Sequence, residues 1–123
     1  MKVFFKNAHI VLPDAIIDGC VETENGTITA VRRGEADGCA QCIDVQGRYL
    51  CPGFVEIHTH GAGGADFMDG TEDAFLTACR THLRHGTTTI YPTLLAASNA
   101  ELETAIEAFL RVKSRLGAEG ITA

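Results

Sequence analysis

Several features that would assign the chain to a particular class of protein are missing from its sequence. Charged residues interrupt every apolar run after a few positions, so we expect no segment that spans a bilayer. Basic residues are in the minority, with Lys+Arg 10 against Asp+Glu 16 and a formal net charge of -6. Because phosphate neutralisation needs clustered cations and the sequence has no basic stripe, we expect no nucleic-acid partner.

We also expect no export signal, and the number of cysteines is odd. Residues 1–7 break their apolar run with lysines, which is not the pattern of a signal peptide. The count of Cys 5 is odd, and thiols without an export signal are usually reduced, so we expect free cysteines and a cytoplasmic location. Hydrophobic residues at 46% and charged residues at 21% are typical of a globular domain, and 123 residues is the length of one.

Residues 1–50 are predicted to form short strands and turns. Asn25-Gly26 is a strong hairpin signal, because both residues tolerate positive φ, and alternating apolar residues follow it. The runs 43–45 and 49–50, separated by Gln46-Gly47, predict another short β pair. We therefore expect a small antiparallel β unit.

The character of the chain changes at Cys51-Pro52-Gly53. Residues 54–58 predict a buried strand, which a glycine-rich loop follows. A helix is then predicted with Asp69 as its N-cap, since Glu72 three residues later resembles a capping box, and with Gly86 as its stop.

The same pattern repeats once more along the chain. Residues 87–91 predict a second strand, and Ser98 with Glu101 forms a capping box for a second helix that Gly117 closes. Ile121-Thr122 is a candidate start of a third strand. Strands that alternate with helices imply an α/β fold with parallel strands. A closed (β/α)8 barrel needs about 250 residues, so we expect residues 53–123 to begin an incomplete barrel.

His58-Thr59-His60 is the sharpest chemical feature of the sequence. Alternate residues of a strand project to the same side, so His58 and His60 can reach one ion or an adjacent pair of ions. A bare His-x-His is more often two exposed side chains than a site. Here an apolar strand precedes it and a glycine-rich loop follows, which favours a metal site at the carboxyl end of the strand.

Other motifs receive ordinary interpretations. The loop Gly61-Ala62-Gly63-Gly64-Ala65-Asp66 has Asp where a dinucleotide fingerprint needs its third glycine, so nucleotide binding is disfavoured. Cys39 and Cys42 form a CxxC without the second pair of a zinc ribbon, and we expect incidental thiols. The remaining candidates are interpreted as an exposed helix end (His82 and His85), a surface strand residue (His9) and capping or loop acceptors (Asp66 and Asp69).

The segment 52–61 resembles the first barrel strand of the amidohydrolase superfamily, and the preceding β unit is similar as well. Within it, residues 60–69 and 86–94 resemble the N-acetylglucosamine-6-phosphate deacetylase family. The resemblance implies that residues 1–52 are the N-terminal part of a small β-sandwich domain and residues 53–123 the start of the catalytic barrel. It implies that His58 and His60 are metal ligands, and it gives Glu56 no role.

The resemblance also implies an activity and its requirements. The complete enzyme would use a divalent metal, with zinc expected first and iron, cobalt or manganese as alternatives, to release acetate and glucosamine 6-phosphate. A ligating Glu, two further His ligands and a catalytic Asp would follow later in the chain, so we expect the 123 residues alone to be inactive. The expected partners are a small-molecule amino-sugar phosphate and a second subunit in a homodimer, with no nucleic acid and no membrane.

Two alternatives stay open at this point. The first keeps the superfamily but changes the substrate, to that of a cyclic amide hydrolase or a deaminase, because those enzymes share the first-strand histidines. The second is a non-catalytic assembly module, in which uncovered apolar faces and unpaired strand edges would drive self-association.

Overall fold

The computed structural model describes residues 1–35 and 41–123, which divide into two compact units, Met1–Pro52 and Gly53–Ala123. Each unit has its own apolar cluster. The assignment of the first unit to a β-sandwich and of the second to a catalytic barrel stays a prediction. Within the described residues, neither helix combines the length and the apolar character that crossing a membrane requires.

The first unit is a single sheet of five strands. The strands are β1 (Lys2–Val11), β2 (Ile16–Glu24), β3 (Thr27–Arg33), β4 (Cys42–Asp44) and β5 (Tyr49–Leu50). The order is β3-β2-β1-β4, with β5 also on β1. The predicted hairpin is confirmed, since Asn25 and Gly26 have φ of 51° and 82° and connect β2 to β3. Ala8, Ile10, Ile17 and Val21 form the buried cluster.

The predicted pairing of residues 43–45 with 49–50 is wrong. Both β4 and β5 run parallel to β1, so the sheet is mixed and not purely antiparallel. The backbone N–H of Val45 donates to Lys6 and that of Gly47 to the carbonyl of Asn7, at 2.9 and 2.7 Å, so the chain continues along one edge of β1. Positive φ at Asn7 and Gln46 lets both strands kink together, where a hairpin turn would have reversed the direction.

The cysteines differ in their surroundings. Cys20 and Cys79 are buried free thiols and Cys51 is an exposed one, as expected of reduced cysteines. Burial raises the pKa of the Cys79 thiol to about 11, which leaves it unreactive. Cys42 is disulfide-bonded, which corrects the expectation of free thiols throughout. Cys39, the other half of the CxxC, lies outside the described residues.

The second unit alternates strands and helices, as predicted. Its elements are β6 (Phe54–Thr59), β7 (Gly61–Ala62), β8 (Ala65–Asp66), a 3₁₀ turn (Phe67–Asp69), α1 (Glu72–Arg84), β9 (Thr87–Pro92) and α2 (Asn99–Ala118). β6 and β9 are parallel neighbours, and β7 and β8 form a small antiparallel ribbon. Thr122 makes an isolated parallel bridge to Thr89, at the position where a third strand was predicted to start.

The helix ends follow local capping chemistry, with one correction. Ser98 and Glu101 form the predicted capping box of α2, although α2 extends one residue past Gly117. Asp69 does not cap α1. It completes a capping box with Asp66 around the 3₁₀ turn, and Thr71 accepts the N–H of Ala74 as the true N-cap of α1. The extra turn therefore moves the helix start by two residues.

The core of the second unit lies between β9 and the two helices. The strand β6 was predicted to be buried, and this is wrong, because Phe54, Val55 and Ile57 are all exposed. The fully buried members of the core include Ile90 of β9, Phe75 and Cys79 of α1, and Val112 and Leu116 of α2. On α1 and α2 these positions recur at helical spacing. This packing fixes α1 against β9, the parallel neighbour of the strand whose carboxyl end carries the histidine pair.

Candidate functional site

His58 and His60 lie together at the carboxyl end of β6. Strand alternation places both side chains on the same side, and their ring centroids are 5.4 Å apart with an interplanar angle of 80°. His58 is exposed and His60 is half-buried. The predicted pair is therefore brought together with its rings neighbouring and open to a ligand.

The ring of His60 has a defined hydrogen-bond partner. Its Nδ1 lies 3.0 Å from the carbonyl oxygen of Thr93, which follows β9. A carbonyl can only accept, so Nδ1 carries the proton and the lone pair of Nε2 faces away from this bond. The backbone N–H of Thr93 donates in turn to the carbonyl of Thr59 at 2.9 Å. Two bonds to one residue therefore tie the end of β6 to the end of β9.

Glu56 shares its side of β6 with the two histidines. Its Oε1 accepts the backbone N–H of His58 at 2.9 Å. The carboxylate thus satisfies a main-chain donor at the unpaired edge of a strand whose one neighbour, among the described residues, is β9. The family resemblance assigned no role to Glu56, and in the structure its carboxylate supports the backbone of His58.

The turn after His60 requires a close approach of backbone to backbone. A Cβ on Gly61 would lie 2.1 Å from the carbonyl oxygen of Ala65 across the β7–β8 ribbon. The carbonyl of His60 accepts the N–H of Phe67 at 2.8 Å, which closes the loop back onto the strand end. The glycine-rich segment is therefore a tight structural turn.

His82 is the side chain at this strand end that the sequence interpretation missed. Its Nε2 lies 3.2 Å from Oγ1 of Thr59, the residue between the two histidines. His82 was assigned to an exposed helix end, but it is half-buried on the last turn of α1. The spacing along α1 could have indicated this. His82 follows the buried Phe75, Ala78 and Cys79 by seven, four and three residues, which places it on the same face of the helix.

The other candidate residues stay apart from the pair. His85 is the exposed C-cap of α1, as predicted. His9 is half-buried in the first unit, where its Nδ1 bonds the carboxylate of Asp18 on the neighbouring strand. Asp66 and Asp69 cap the 3₁₀ turn, in agreement with the structural role expected of them.

The donor chemistry of the pair fits part of a metal site. Two imidazoles on one side, one with its Nε2 left free by the bond from Nδ1, are suitable ligands for zinc and similar divalent ions. Within residues 1–35 and 41–123, no group of three or more His, Cys, Asp or Glu side chains is placed to hold a metal. His58 and His60 could thus supply two ligands, and a catalytic zinc needs a third.

Known proteins share this arrangement of sequence and fold. The profile of the Amidohydrolase family matches residues 49–122. A dihydroorotase from Elusimicrobium minutum is 39% identical over 73% of this chain and 21% of its own length. An N-acetylglucosamine-6-phosphate deacetylase from Vibrio furnissii is 34% identical over 68% of this chain and 21% of its own length.

A solved structure extends the comparison to nearly the whole chain. It is a variant of N-acetyl-D-glucosamine-6-phosphate deacetylase from Mycobacterium smegmatis, in complex with N-acetyl-D-glucosamine-6-phosphate. The match has a TM-score of 0.78 at 25% identity and covers 94% of this chain and 30% of that one.

The family profile covers the β6 strand, both histidines and both βα units, so the chain belongs to the amidohydrolase family. The resemblance on which the sequence interpretation depended is thereby confirmed, and with it a kinship to hydrolases whose fold is an α/β barrel. The chain spans about a fifth of the length of the curated relatives it matches.

Proposed function

We propose that this chain provides the first metal-binding strand of a metal-dependent deacetylase acting on N-acetylglucosamine 6-phosphate. The observation that carries the proposal is the pair of adjacent imidazoles at the carboxyl end of β6, with Nδ1 of His60 committed to Thr93 and Nε2 left for a ligand. In α/β barrels, this end of the strands carries the active site.

His58 and His60 would hold a divalent ion, for which zinc is the first expectation and iron, cobalt or manganese the alternatives. Such an ion lowers the pKa of bound water and polarises the carbonyl of an amide. The protein residues described here would fix its position. Thr93 holds the His60 ring in one tautomer and Glu56 holds the His58 backbone, both by hydrogen bonds that are already formed.

The remaining chemistry needs residues beyond those described. Proton transfer from the attacking water to the leaving amine calls for a carboxylate such as an Asp. We place that Asp and the further ligands in later strands of the same barrel, of which residues 53–123 are the incomplete start. By the same reasoning, the 123 residues alone bind metal weakly and do not hydrolyse the substrate.

Substrate preference is supported by the closeness of the structural match. The deacetylase from Mycobacterium smegmatis, whose complex holds the amino-sugar phosphate, matches this chain with a TM-score of 0.78, whereas a D-hydantoinase that covers 92% of it has a TM-score of 0.57. The segments 60–69 and 86–94 resemble the same family in sequence. The relatives suggest a small-molecule amino-sugar phosphate as the partner, and a homodimer remains part of the proposal.

A second candidate function is hydrolysis of a cyclic amide. It is favoured by one observation, the 39% identity to a dihydroorotase over 73% of this chain. Both reactions cleave an amide and would use the same first-strand histidines, so the strand end described here does not separate them. Substrate recognition does, because only the deacetylase substrate carries a sugar phosphate.

The test has two parts, one for the metal site and one for the substrate. In the 123-residue chain, His58→Ala and His60→Ala should each abolish the weak zinc binding seen by titration. His85→Ala is the matched control, since His85 is exposed on the same unit and lies away from the pair. Unchanged zinc binding in both site variants would refute the metal site.

A longer protein that contains this chain, loaded with zinc, should release acetate from N-acetylglucosamine 6-phosphate. It should leave dihydroorotate and hydantoins untouched. Ring opening of a cyclic amide with no acetate release would select the second candidate instead. Acetate release by the 123 residues alone would refute the proposal that they are an inactive part of the barrel.

A further inference from the structure

The hydroxyl of Thr59 is the centre of a small hydrogen-bond cluster between the two candidate ligands. Oγ1 lies 3.1 Å from the carbonyl oxygen of Gly61 and 3.4 Å from its backbone nitrogen. Nε2 of His82 is the third partner, at 3.2 Å. Because side chains alternate along β6, this hydroxyl is on the side of the strand opposite to the histidine pair, where His82 of α1 reaches it.

The direction of each bond follows from counting protons. The hydroxyl has one proton, and the carbonyl of Gly61 can only accept it. The N–H of Gly61 and Nε2 of His82 must then both donate to the hydroxyl oxygen. His82 therefore carries its proton on Nε2, and it is the side chain that anchors the hydroxyl from outside the turn.

We propose that His82 is a positioning residue for the metal-binding pair, and that it acts through Thr59. The inference rests on the proposed function, in which His58 and His60 bind the metal. His82 belongs to α1, whose Phe75, Ala78 and Cys79 are fixed in the buried core with residues of β9 and α2. By bonding the hydroxyl of Thr59, His82 holds residues 59–61 in place, because the same hydroxyl is also bonded to Gly61.

The effect on the ligands comes through the backbone. His60 lies between Thr59 and Gly61, and the hydroxyl of Thr59 closes the turn across it. Without the anchor from His82, the hydroxyl can rotate and exchange its partners with water, and the backbone of His60 gains freedom. The metal then has to order the His60 ring itself when it binds, because the fold no longer holds the ring in place. That ordering costs free energy and weakens metal binding.

The experiment measures zinc affinity of the full 123-residue chain by competition with a chromophoric chelator. His82→Leu should lower the affinity about tenfold, the smaller end of the range for residues that orient metal ligands. His82→Gln should restore most of it, because the amide nitrogen of Gln lies the same number of bonds from Cα as Nε2 of His. Leu83→Ala is the stability control, since it loses core packing on α1 and leaves the Thr59 bond intact.

Thr59→Val keeps the shape of the side chain and removes the hydroxyl. It should lower zinc affinity as much as His82→Leu, and the double variant should be no worse than either single one, because both remove the same link. Hydrogen exchange of the Gly61 amide is also measured, without metal. The amide should exchange faster in Thr59→Val and His82→Leu, and at the original rate in His82→Gln.

The outcomes separate the two proposals. Zinc affinity unchanged in His82→Leu and Thr59→Val, but lost in His58→Ala and His60→Ala, overturns the positioning role and leaves the metal site standing. Zinc affinity unchanged in all four variants overturns both. An equal loss in Leu83→Ala and His82→Leu, with no recovery in His82→Gln, also overturns the positioning role, because it would reflect stability alone.

Discussion

The imidazole of His60 and the backbone of Thr93 are joined by a hydrogen bond of 3.0 Å across 33 positions of sequence. The bond connects the residue after β6 to the residue after β9, so it links the carboxyl ends of two parallel strands. It also sets which ring nitrogen is free. The same hydrogen bond thus joins two strand ends of the second unit and orients the ring of a proposed metal ligand.

This contact predicts different results for two substitutions of His60. Asn places its amide nitrogen where Nδ1 of His lies, so His60→Asn should keep the bond to Thr93 and its stability. His60→Ala should lose about 1 kcal/mol of unfolding free energy, the usual value for a hydrogen bond of this kind. Both variants should lose zinc binding, because neither retains Nε2.

Urea unfolding followed through amide resonances of the second unit measures the stability difference. An Asn variant as unstable as the Ala variant would contradict the bond. In the unsubstituted chain, a long-range nitrogen–proton correlation spectrum should show His60 protonated on Nδ1 and unprotonated on Nε2 when the ring is neutral.

The turn after His60 predicts opposite outcomes for two Gly→Ala substitutions. Gly61→Ala should destabilise the second unit by about 1–3 kcal/mol, because its Cβ would lie 2.1 Å from a backbone oxygen that cannot move aside cheaply. Gly117→Ala is the matched change inside α2, where no atom lies within 4 Å of the added Cβ. It should stabilise by about 0.5–1 kcal/mol, since Ala loses less entropy in a helix. Thermal unfolding of both variants checks the signs, and a neutral Gly61→Ala would refute the close approach.

The capping box of α2 gives a third prediction. Ser98→Ala should cost about 1 kcal/mol, because the side chain accepts the N–H of Glu101 and no other group replaces it. Ser114→Ala is the control, as Ser114 is exposed in the interior of the same helix. It should be neutral or slightly stabilising. Urea titration of the two variants should separate them, and equal effects would mean that the cap contributes nothing.

The ion pair between the helices predicts a pH dependence. Arg80 donates to Glu119 through two nitrogens at 2.7 and 2.6 Å, and this contact lowers the pKa of the Glu119 carboxyl below its ordinary value. The unfolded chain then binds the proton at a higher pH than the folded one. The contribution to stability is therefore complete above the ordinary Glu pKa of 4.5 and is lost as the pH falls through the lowered value.

Glu119→Gln removes the titrating group and leaves the shape. The melting temperature of the variant should lie below that of the original chain at pH 7, and the gap should close as the pH falls below about 4. Salt should narrow the gap at pH 7, since both side chains are partly exposed. A gap that stays constant from pH 7 to pH 3 would show that Glu119 acts without its charge.

Local signals in the sequence predicted much of this fold. The Asn25-Gly26 hairpin and the Ser98–Glu101 box were both predictable, because each depends on residues within one turn. The start of α1 was not, because Asp69 and Thr71 are both good caps and only the 3₁₀ turn between them decides. The direction of β4 and β5 also escaped prediction, since it depends on their pairing with β1, about forty residues away in sequence.

The candidate site was likewise predictable from the sequence only in part. The side shared by His58 and His60 follows from strand alternation and was predictable. The bonds that orient them were not, because Thr93 and His82 come from other elements, 33 and 23 positions from their partners. Sequence spacing identifies which side chains can meet, and packing decides which of them do.

The central place of β1 has a consequence for how the protein is made. Its ten residues come before those of every other strand in this sheet, yet one of its edges is filled only when Leu50 has been synthesised. Until then the nascent chain exposes an unsatisfied row of amides and carbonyls to chaperones and proteases. The N-terminal unit therefore matures in a single late event, and shortening the chain from its amino end would remove the strand that all but β3 require.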